Sequence, residues 1–215
     1  MNTYHKIQSV YKRDPETNHK TFLEGQWSLP EFDYLKNNNW IYTEKVDGTN
    51  IRIMFDGVKA WFGGKTDTSQ MPTRLANKLA VYCAENLDIF FNTFDSIENI
   101  PESHVCMYCE GYGAGIQKGG KYRKDQNVVL LDVKIGSWWL KREDVESLGD
   151  TFQTDVVPII GKGTLLEAIE RVREGFTSNW GDFIAEGIVA RPEVDLKSRN
   201  GDRLITKIKH KDFIR

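Results

Sequence analysis

Glu44-Lys45-Val46-Asp47-Gly48-Thr49-Asn50 places a lysine immediately before a carboxylate and a tight glycine turn. Trp40-Ile41-Tyr42 precedes this stretch and Ile51-Arg52-Ile53-Met54-Phe55 follows it, and both segments have the composition of β-strands. The lysine therefore lies at a bend between strands, where its side chain faces a pocket. A lysine amine attacks phosphorus only in its neutral form, which desolvation or neighbouring cations, including a metal ion, favour. Lys45 is thus a candidate nucleophile, and an ordinary surface hairpin turn is the alternative.

The length and charge of the chain limit the classes of protein to which it can belong. The 215 residues predict a single domain over 1–215, with a lead-in at 1–39 and a core at 40–213. Lys and Arg total 29 against 31 Asp and Glu, so nucleic-acid binding requires a local basic patch. The sequence has no long apolar run and no signal-peptide pattern, and we expect a cytoplasmic protein without a membrane span.

The three cysteines indicate a reducing compartment rather than a disulfide framework. Cys106 and Cys109 form a C-x-x-C pair, but no second pair or histidine cluster accompanies it. Strand alternation would send the two thiols to opposite faces, which disfavours a zinc or redox site.

The apolar spacing predicts an α+β fold of mainly antiparallel sheets flanked by helices. The first thirty residues are polar and aromatic and predict an irregular segment. Predicted helices cover Pro30 to Leu35, Pro72 to about Phe94, and the stretch from the capping box Thr164-x-x-Glu167 to Gly175. Predicted strands cover Ile51 to Phe55, Val58 to Phe62 after an Asp56-Gly57 turn, Val105 to Glu110, Val128 to Ile135, Phe183 to Ala190 and Leu204 to Lys209.

Two carboxylates stand out beside the lysine. Glu110 ends a predicted strand just before a glycine-rich loop, a position suited to binding a ribose hydroxyl; an exposed strand end is the alternative. Glu186 lies between apolar neighbours of a predicted central strand, where a charge requires a partner such as a metal ion beside a phosphate.

Three further lysines add positive charge. Lys207 and Lys209 are two residues apart on a strand, so they share one face and repel unless an anion such as a triphosphate lies between them. An edge strand that uses its lysines to prevent aggregation is the alternative. Lys65, in Phe62-Gly63-Gly64-Lys65-Thr66, is a weaker candidate for the same pocket.

Five segments together resemble the ordered nucleotidyltransferase motifs of polynucleotide ligases, and most closely those of the RNA ligase 2 family. They are Glu44 to Asn50, YCEGYGAGIQK at 108–118, PIIGKG at 158–163, AEGIVARP at 185–192 and RNGDRLITKIK at 199–209. The resemblance covers about residues 40 to 213. DNA ligases usually carry arginine where this chain has Asn50, which favours the RNA ligase branch.

The resemblance implies a ligase nucleotidyltransferase domain, ATP-grasp-like, that uses ATP and Mg²⁺ or Mn²⁺. Lys45 would take AMP as a phosphoramidate, pass it to a 5′-phosphate end, and a 3′-hydroxyl would then displace AMP and seal the strand. The residues implied in nucleotide binding and catalysis are Glu44, Lys45, Asn50, Lys65, Glu110, Glu186, Lys207 and Lys209, with Glu186 and Asp47 as metal ligands. The implied partners are RNA ends or a nicked duplex.

Two residues depart from the pattern of the family that the chain resembles. Lys65 aligns with a family arginine, so a point charge replaces a bidentate fork. Leu131 falls where relatives often stack an aromatic ring on adenine.

Only six residues follow Lys209, so we expect a bare catalytic domain, without an OB-fold or a helical C-terminal domain. A monomer is expected, and a separate nucleic-acid-binding partner is left open. Expected nucleic-acid contacts are Lys118, Lys121, Arg123 and Lys124, with Lys12, Arg13 and Trp27 in the lead-in, although each is also explained as a surface charge or, for Trp27, as a core residue.

Two other functions share parts of this pattern. A GTP-using capping enzyme also carries Lys-x-Asp-Gly, but the YCEGYGAGIQK segment and the expected lack of an OB-fold disfavour it. A non-sealing nucleotide- or RNA-binding module is disfavoured because Lys45, Glu110, Glu186, Lys207 and Lys209 are all intact.

Overall fold

The computed structural model describes residues 3–95 and 104–214. The strands in this part of the chain are β1 (Gln8–Ser9), β2 (Tyr11–Arg13), β3 (Phe22–Trp27), β4 (Trp40–Glu44), β5 (Thr49–Phe55), β6 (Ala60–Gly63), β7 (Val105–Gly113), β8 (Gln126–Ile135), β9 (Trp138–Trp139), β10 (Ile159–Gly163), β11 (Gly187–Pro192) and β12 (Thr206–Lys209). The α-helices are α1 (Pro30–Tyr34), α2 (Thr73–Glu85), α3 (Leu87–Thr93), α4 (Arg142–Thr151) and α5 (Leu165–Glu174). No described helix is both long enough and apolar enough to cross a membrane.

The chain divides into two compact units, each with its own hydrophobic core. The first unit takes its described residues from 1–4 and 47–157, and the second from 5–46 and 158–215. The boundary between Val46 and Asp47 falls inside the lysine-bearing stretch. The single domain predicted over 1–215 stays a prediction.

The first unit is built on an antiparallel sheet with strand order β6-β5-β7-β8-β9. Strand alternation in β5 sends Ile51, Ile53 and Phe55 to one face, where all three are fully buried. The apolar stripe of α2 packs on this face through Leu75 and Leu79. The opposite face of β5 carries the even-numbered residues, which include Asn50.

The second unit contains the sheet β1-β12-β11-β4-β10 and the two-stranded antiparallel sheet β2-β3. β11 pairs antiparallel with β4 and with β12, and β1 pairs parallel with β12. The Thr164–Glu167 capping box starts α5, and the helix buries Leu165 and Ile169 in the same core as Trp40 of β4. The strands that flank Lys45, Glu186 and Lys209 are therefore fixed by one core.

The predicted α+β class is confirmed: antiparallel sheets carry helices on their apolar faces, and the described residues contain no closed barrel. The sequence-based boundaries needed correction in several places. The predicted helix from Pro72 to Phe94 is wrong as one element, because it breaks at Asn86, whose side-chain amide donates to the Tyr82 carbonyl at 2.9 Å. The lead-in contains strands β1 to β3 and is not irregular throughout.

Several predicted strand boundaries also change, and β12 begins at Thr206 rather than at Leu204. The Asp56 carboxylate accepts hydrogen bonds from the backbone N–H groups of Val58 and Lys59, so the turn is longer and β6 begins at Ala60. β7 continues through Glu110 to Gly113. β11 begins at Gly187 rather than at Phe183, which leaves Glu186 just outside the strand.

Gly187 gives a test of the packing between β11 and β12. A Cβ built on Gly187 would lie 1.9 Å from the Ile208 carbonyl oxygen, so we expect Gly187→Ala to lower the free energy of unfolding by about 1–3 kcal/mol or more. Gly120→Ala is the control, because its Cβ would meet its nearest neighbour at 3.8 Å. Urea unfolding of both variants measures the difference, and equal midpoints would contradict the proposed tight packing.

Candidate active site

Lys45 directly follows β4, and its main chain is fixed by the neighbouring strand. The Lys45 N–H donates to the Gly187 carbonyl at 2.9 Å, and the Glu44 N–H donates to the Pro158 carbonyl at 3.3 Å. The next strand in the chain, β5, begins at Thr49 and belongs to the sheet of the first unit. The predicted bend is therefore a crossing from one sheet to another rather than a hairpin turn.

The Glu186 carboxylate bridges two lysines. Its Oε2 lies 2.7 Å from Lys45 Nζ, and its Oε1 lies 2.7 Å from Lys209 Nζ. The register explains this meeting: Gly187 is opposite Lys209 in the β11–β12 ladder, and the Lys45 backbone is bonded to Gly187. The three side chains are between 14% and 21% exposed, so the cluster is partly shielded yet open to a ligand. One anion between two cations leaves a net positive charge.

Lys207 adds a further cation on the same face of β12. Thr206 and Ile208 are buried on the other face, which confirms the predicted alternation. β12 lies between β1 and β11, so the alternative of a protective edge strand is wrong. Burial, the largest cause, lowers the pKa of Lys207, and the nearby charges of Lys209, Lys45, Lys6 and Arg13 lower it further. Within the described part of the chain Lys207 forms no salt bridge, and an anion would relieve this repulsion.

Glu44 is buried and holds a nearby loop. Its carboxylate accepts from Ser178 Oγ at 2.5 Å and from the Asn179 N–H at 2.8 Å. Burial raises the pKa of Glu44, although both hydrogen bonds act in the opposite direction. Each carboxylate oxygen thus has a partner inside the second unit. The nucleotide-binding role predicted for Glu44 stays a prediction.

The first unit brings Asn50 and Glu110 together. They are directly opposite each other in the β5–β7 ladder, so they share the face of the sheet that points away from the core. Glu110 lies inside β7 and is half-buried, so an exposed strand end is not its environment. The Oδ1 atom of Asn50 is buried and has no hydrogen-bond partner among the described residues. The Asp47 N–H donates to the Tyr122 hydroxyl at 3.1 Å, which fixes the start of the turn.

Lys65 is exposed on a loop that a buried arginine anchors. Arg52 Nε donates to the Gly64 carbonyl, and Arg52 Nη2 lies 2.8 Å from Asp67 Oδ1. Arg52 is almost fully buried, so the ends of this loop are fixed while the Lys65 ammonium remains in solvent.

Leu131 is the extra residue of a β-bulge. Tyr108 is opposite Asp132 and Cys109 is opposite Leu130, which leaves Leu131 without a partner in the ladder. A bulge redirects side chains locally. Leu131 is half-buried, whereas its neighbours Leu130 and Asp132 are buried.

The predicted nucleic-acid contacts differ in their exposure to solvent. Lys118, Lys121 and Lys124 are exposed around the turn that follows β7. Arg123 instead makes two hydrogen bonds to the Asp125 carboxylate, at 2.6 and 2.9 Å. In the lead-in, Trp27 packs against Tyr11 with ring centroids 4.9 Å apart, so Trp27 belongs to the core of the second unit.

Each unit, taken by itself, brings some of the predicted residues together. The second unit brings together Lys45, Glu186, Lys207 and Lys209, and the first unit pairs Asn50 with Glu110. The sequence did not point to Ser178, Tyr122 or Lys6, because each acts on a residue far away in the chain and lies in no motif.

The donors available to a metal are few. No group of three His, Cys, Asp or Glu residues converges in the described ranges. The two thiols of the C-x-x-C pair differ in environment as predicted: Cys109 lies in the core of the first unit, whereas Cys106 is only half-buried. Glu186 offers hard carboxylate oxygens beside a positive cluster, which suits a cation held jointly with phosphate oxygens.

Lys207 gives a test of the electrostatic repulsion. We expect Lys207→Met to raise the melting temperature of the ligand-free protein by about 2 °C, because it removes a half-buried charge that faces other cations. Because the pKa of Lys207 is lower in the folded protein than in the unfolded chain, Lys207 binds more protons in the unfolded chain at pH values between these two pKa values. The free energy of unfolding of the wild type therefore rises with pH through that window. The advantage of the variant should therefore be largest near neutral pH and shrink in alkali. An advantage that is independent of pH would contradict this account.

Glu44 gives a second stability test. Glu44→Gln leaves one of the two donors, Ser178 or Asn179, facing an amide NH₂, and we expect a loss of about 1–3 kcal/mol in the free energy of unfolding. Glu193→Gln is the control, because Glu193 is exposed and pairs with Lys162 on the surface. Chemical denaturation measures both, and a Glu44→Gln midpoint equal to the wild type would show that the anchor is dispensable.

The chain matches known proteins in sequence and in fold. The family model described as RNA ligase matches residues 38–209. Among solved structures, a variant of the Naegleria gruberi RNA ligase with ATP and Mn matches at 14% identity with a TM-score of 0.66, covering 97% of this chain and 56% of that one. A second variant of that ligase with ATP and Mn gives 17% identity and a TM-score of 0.63, covering 99% and 64%.

A structure of the same Naegleria ligase with PPi matches at 16% identity and a TM-score of 0.62, covering 97% of this chain and 58% of that one. The chain therefore spans 56–64% of the length of these solved proteins. The likeness in structure shows a shared fold, and the sequence match extends over most of the chain. The chain belongs to the RNA ligase family.

Proposed function

We propose that this protein is an ATP-dependent RNA ligase that works through a lysyl-AMP intermediate on Lys45. The observation that supports this most directly is the contact of the Glu186 carboxylate with both Lys45 and Lys209. It sets the candidate nucleophile, a proton acceptor and a phosphate-binding cation within one cluster.

In the first step, Lys45 must lose a proton before its amine attacks. Glu186 Oε2 lies 2.7 Å from Lys45 Nζ, within the range for direct proton transfer. The Nζ–phosphorus bond forms at the α-phosphate of ATP. The bond from the α-phosphorus to the bridging oxygen breaks, and pyrophosphate leaves with the electron pair. The first proton passes to Glu186 and then to solvent, and the attacking nitrogen releases a second proton to solvent as the phosphoramidate forms.

Lys207 and Lys209 stabilise the phosphates during this transfer. Phosphoryl transfer depends on positioning and on neutralising charge at the phosphate oxygens, and both ammonium groups are held on one strand face. Because Lys207 has no salt bridge in the described ranges, its charge is available to the substrate. When the nucleotide binds, Lys209 can exchange part of its contact with Glu186 for a phosphate oxygen.

A divalent cation fits the chemistry of this cluster. Mg²⁺ is usually held by one or two carboxylates together with substrate phosphates, and Glu186 supplies such a carboxylate. Asp47, the other metal ligand that the sequence resemblance implies, stays a prediction. The Naegleria structures contain Mn with ATP, which agrees with this choice. The cation would neutralise charge on the phosphate oxygens during transfer.

The later steps pass AMP from Lys45 to the RNA and then join the two ends. A 5′-phosphate oxygen of the RNA attacks the phosphorus of the AMP, and the Lys45 nitrogen leaves. The 3′-hydroxyl then attacks the activated 5′-phosphate, a phosphodiester forms and AMP leaves. Glu110 would contact the ribose of the nucleotide and Asn50 would serve end joining, as the sequence resemblance implies; the two residues are directly opposite each other in the β5–β7 ladder.

Covalent labelling tests this proposal. With α-labelled ATP and Mg²⁺, we expect the wild-type protein to become labelled and Lys45→Ala to lose the label by at least about a thousandfold, because the acceptor atom is absent. Lys20→Ala, which removes an exposed lysine of the same unit outside all five motifs, is the control that should label like the wild type. The protein is first treated with pyrophosphate, which removes any AMP already bound, and is then incubated with the labelled ATP. Gel autoradiography measures the label that it takes up.

Two further assays separate the alternatives. Preferential labelling by GTP would indicate a capping enzyme. RNA binding without joining of a nicked duplex, even with pre-adenylylated 5′ ends, would indicate a non-sealing module. Wild-type protein that takes no label from either nucleotide would overturn the lysyl-AMP mechanism.

A further inference from the structure

The N-terminal strands and β12 enclose a basic trough on the second unit. It has a volume of about 790 Å³. The cations that line it, which define the basic trough, are Lys6, Lys12, Arg13, Lys207, Lys209 and Lys211. Two of them belong to the candidate active site, and the others come from the lead-in and from the turn after β12. The trough thus continues from the active site along the N-terminal segment.

The charge of this trough is poorly balanced. Among the described residues that line it, none is Asp or Glu. Arg13 pairs with Asp212 at 2.5 Å and Lys209 with Glu186, whereas Lys6, Lys12, Lys207 and Lys211 form no salt bridge within the described ranges. The chain as a whole has a net charge of −2, so this concentration of positive charge is local. Cations gathered without acidic partners repel each other until an anion binds.

The lead-in is held firmly against β12. Ser9 is opposite Lys207 in the parallel β1–β12 pair, and the Val10 N–H donates to the Lys207 carbonyl at 3.1 Å. Thr206 Oγ1 donates to the Gln8 carbonyl at 3.1 Å. The Arg13–Asp212 ion pair fixes the far end of β2, and the Asp212 side chain is only 6% exposed. The cations are therefore mounted on a pre-organised surface.

The spread of the cations along the chain distinguishes between phosphate ligands. Lys6 to Arg13 spans seven residue steps, up to about 25 Å of extended chain. One strand of a nucleic-acid duplex places a phosphate about every 3.4 Å along its axis, so such a distance covers several phosphates. The β- and γ-phosphates of ATP would occupy only a part of it. Lys6, Lys12 and Lys211 are also exposed, as is usual for contacts to a nucleic-acid backbone.

We propose that the basic trough binds the phosphate backbone of the RNA strand and guides its end to Lys207 and Lys209. This inference rests on the proposed ligase function and adds the lead-in as the surface that holds the substrate. The contacts are to phosphates, so binding depends on salt and not on base sequence.

The test compares two charge-removal variants of the full chain. Lys12→Ala/Lys211→Ala removes two exposed cations of the trough, and Lys20→Ala/Lys197→Ala removes two exposed lysines of the same unit that lie outside it. The probe is a fluorescently labelled nicked RNA duplex with a 5′-phosphate, titrated at several salt concentrations. We expect the trough variant to bind about tenfold more weakly at low salt, and its salt slope to fall by about 2. The control should match the wild type.

Labelling with α-labelled ATP requires no RNA and provides a second readout. RNA binding that is weakened only in the trough variant supports the proposal. This holds even if the wild type and both variants take no AMP label, because a lack of label would overturn the lysyl-AMP mechanism alone. A trough variant that binds RNA like the control overturns the proposal. Loss of ATP labelling with unchanged RNA binding would assign the trough to the nucleotide phosphates and would also overturn it.

Discussion

The contact between the Glu186 carboxylate and the two lysines is the interaction on which the rest of the site depends. Each carboxylate oxygen lies 2.7 Å from an ammonium nitrogen, one on Lys45 and one on Lys209. Without Glu186, Lys45, Lys207 and Lys209 would form a partly shielded group of cations with no counter-charge, which is unfavourable in a low-dielectric environment. A single carboxylate keeps the group together while leaving it net positive. A phosphate therefore finds cations already in place.

The same imbalance explains why Lys207 lies on an interior strand. An exposed lysine on a sheet edge would be hydrated and would contribute little to binding one particular anion. On β12, burial and neighbouring cations lower the pKa of Lys207, so the charged form is stabilised most by a ligand that brings negative charge. The position of Lys207 destabilises the ligand-free protein, but it also holds a positive charge in place for the ligand, which is electrostatic pre-organisation.

The sequence predicted what depends on local pattern. The period of two in Thr206 to Lys209 places Lys207 and Lys209 on one face, and the Thr164 capping box starts α5 where expected. It did not predict what depends on distant residues. Asn86 breaks a helix whose apolar spacing continues across it. In the lead-in, β1 forms because β12 offers a partner about two hundred residues later. Likewise, nothing near Glu44 shows that Ser178 and Asn179 occupy its carboxylate.

Main-chain contacts in the short turn from Lys45 to Asn50 explain why the spacing of Lys45, Asp47 and Gly48 is strict. Lys45 is bonded through its backbone to Gly187, and Asp47 is bonded through its backbone to Tyr122. Gly48 packs so closely that a Cβ would lie 2.2 Å from the Gly111 carbonyl oxygen. Three of four consecutive residues are thus constrained at the main chain, and the flexible four-carbon stem of Lys45 gives its amine the freedom to change position. An amine that must leave Glu186 to reach phosphorus requires that freedom, and the rigid backbone limits where the amine can go.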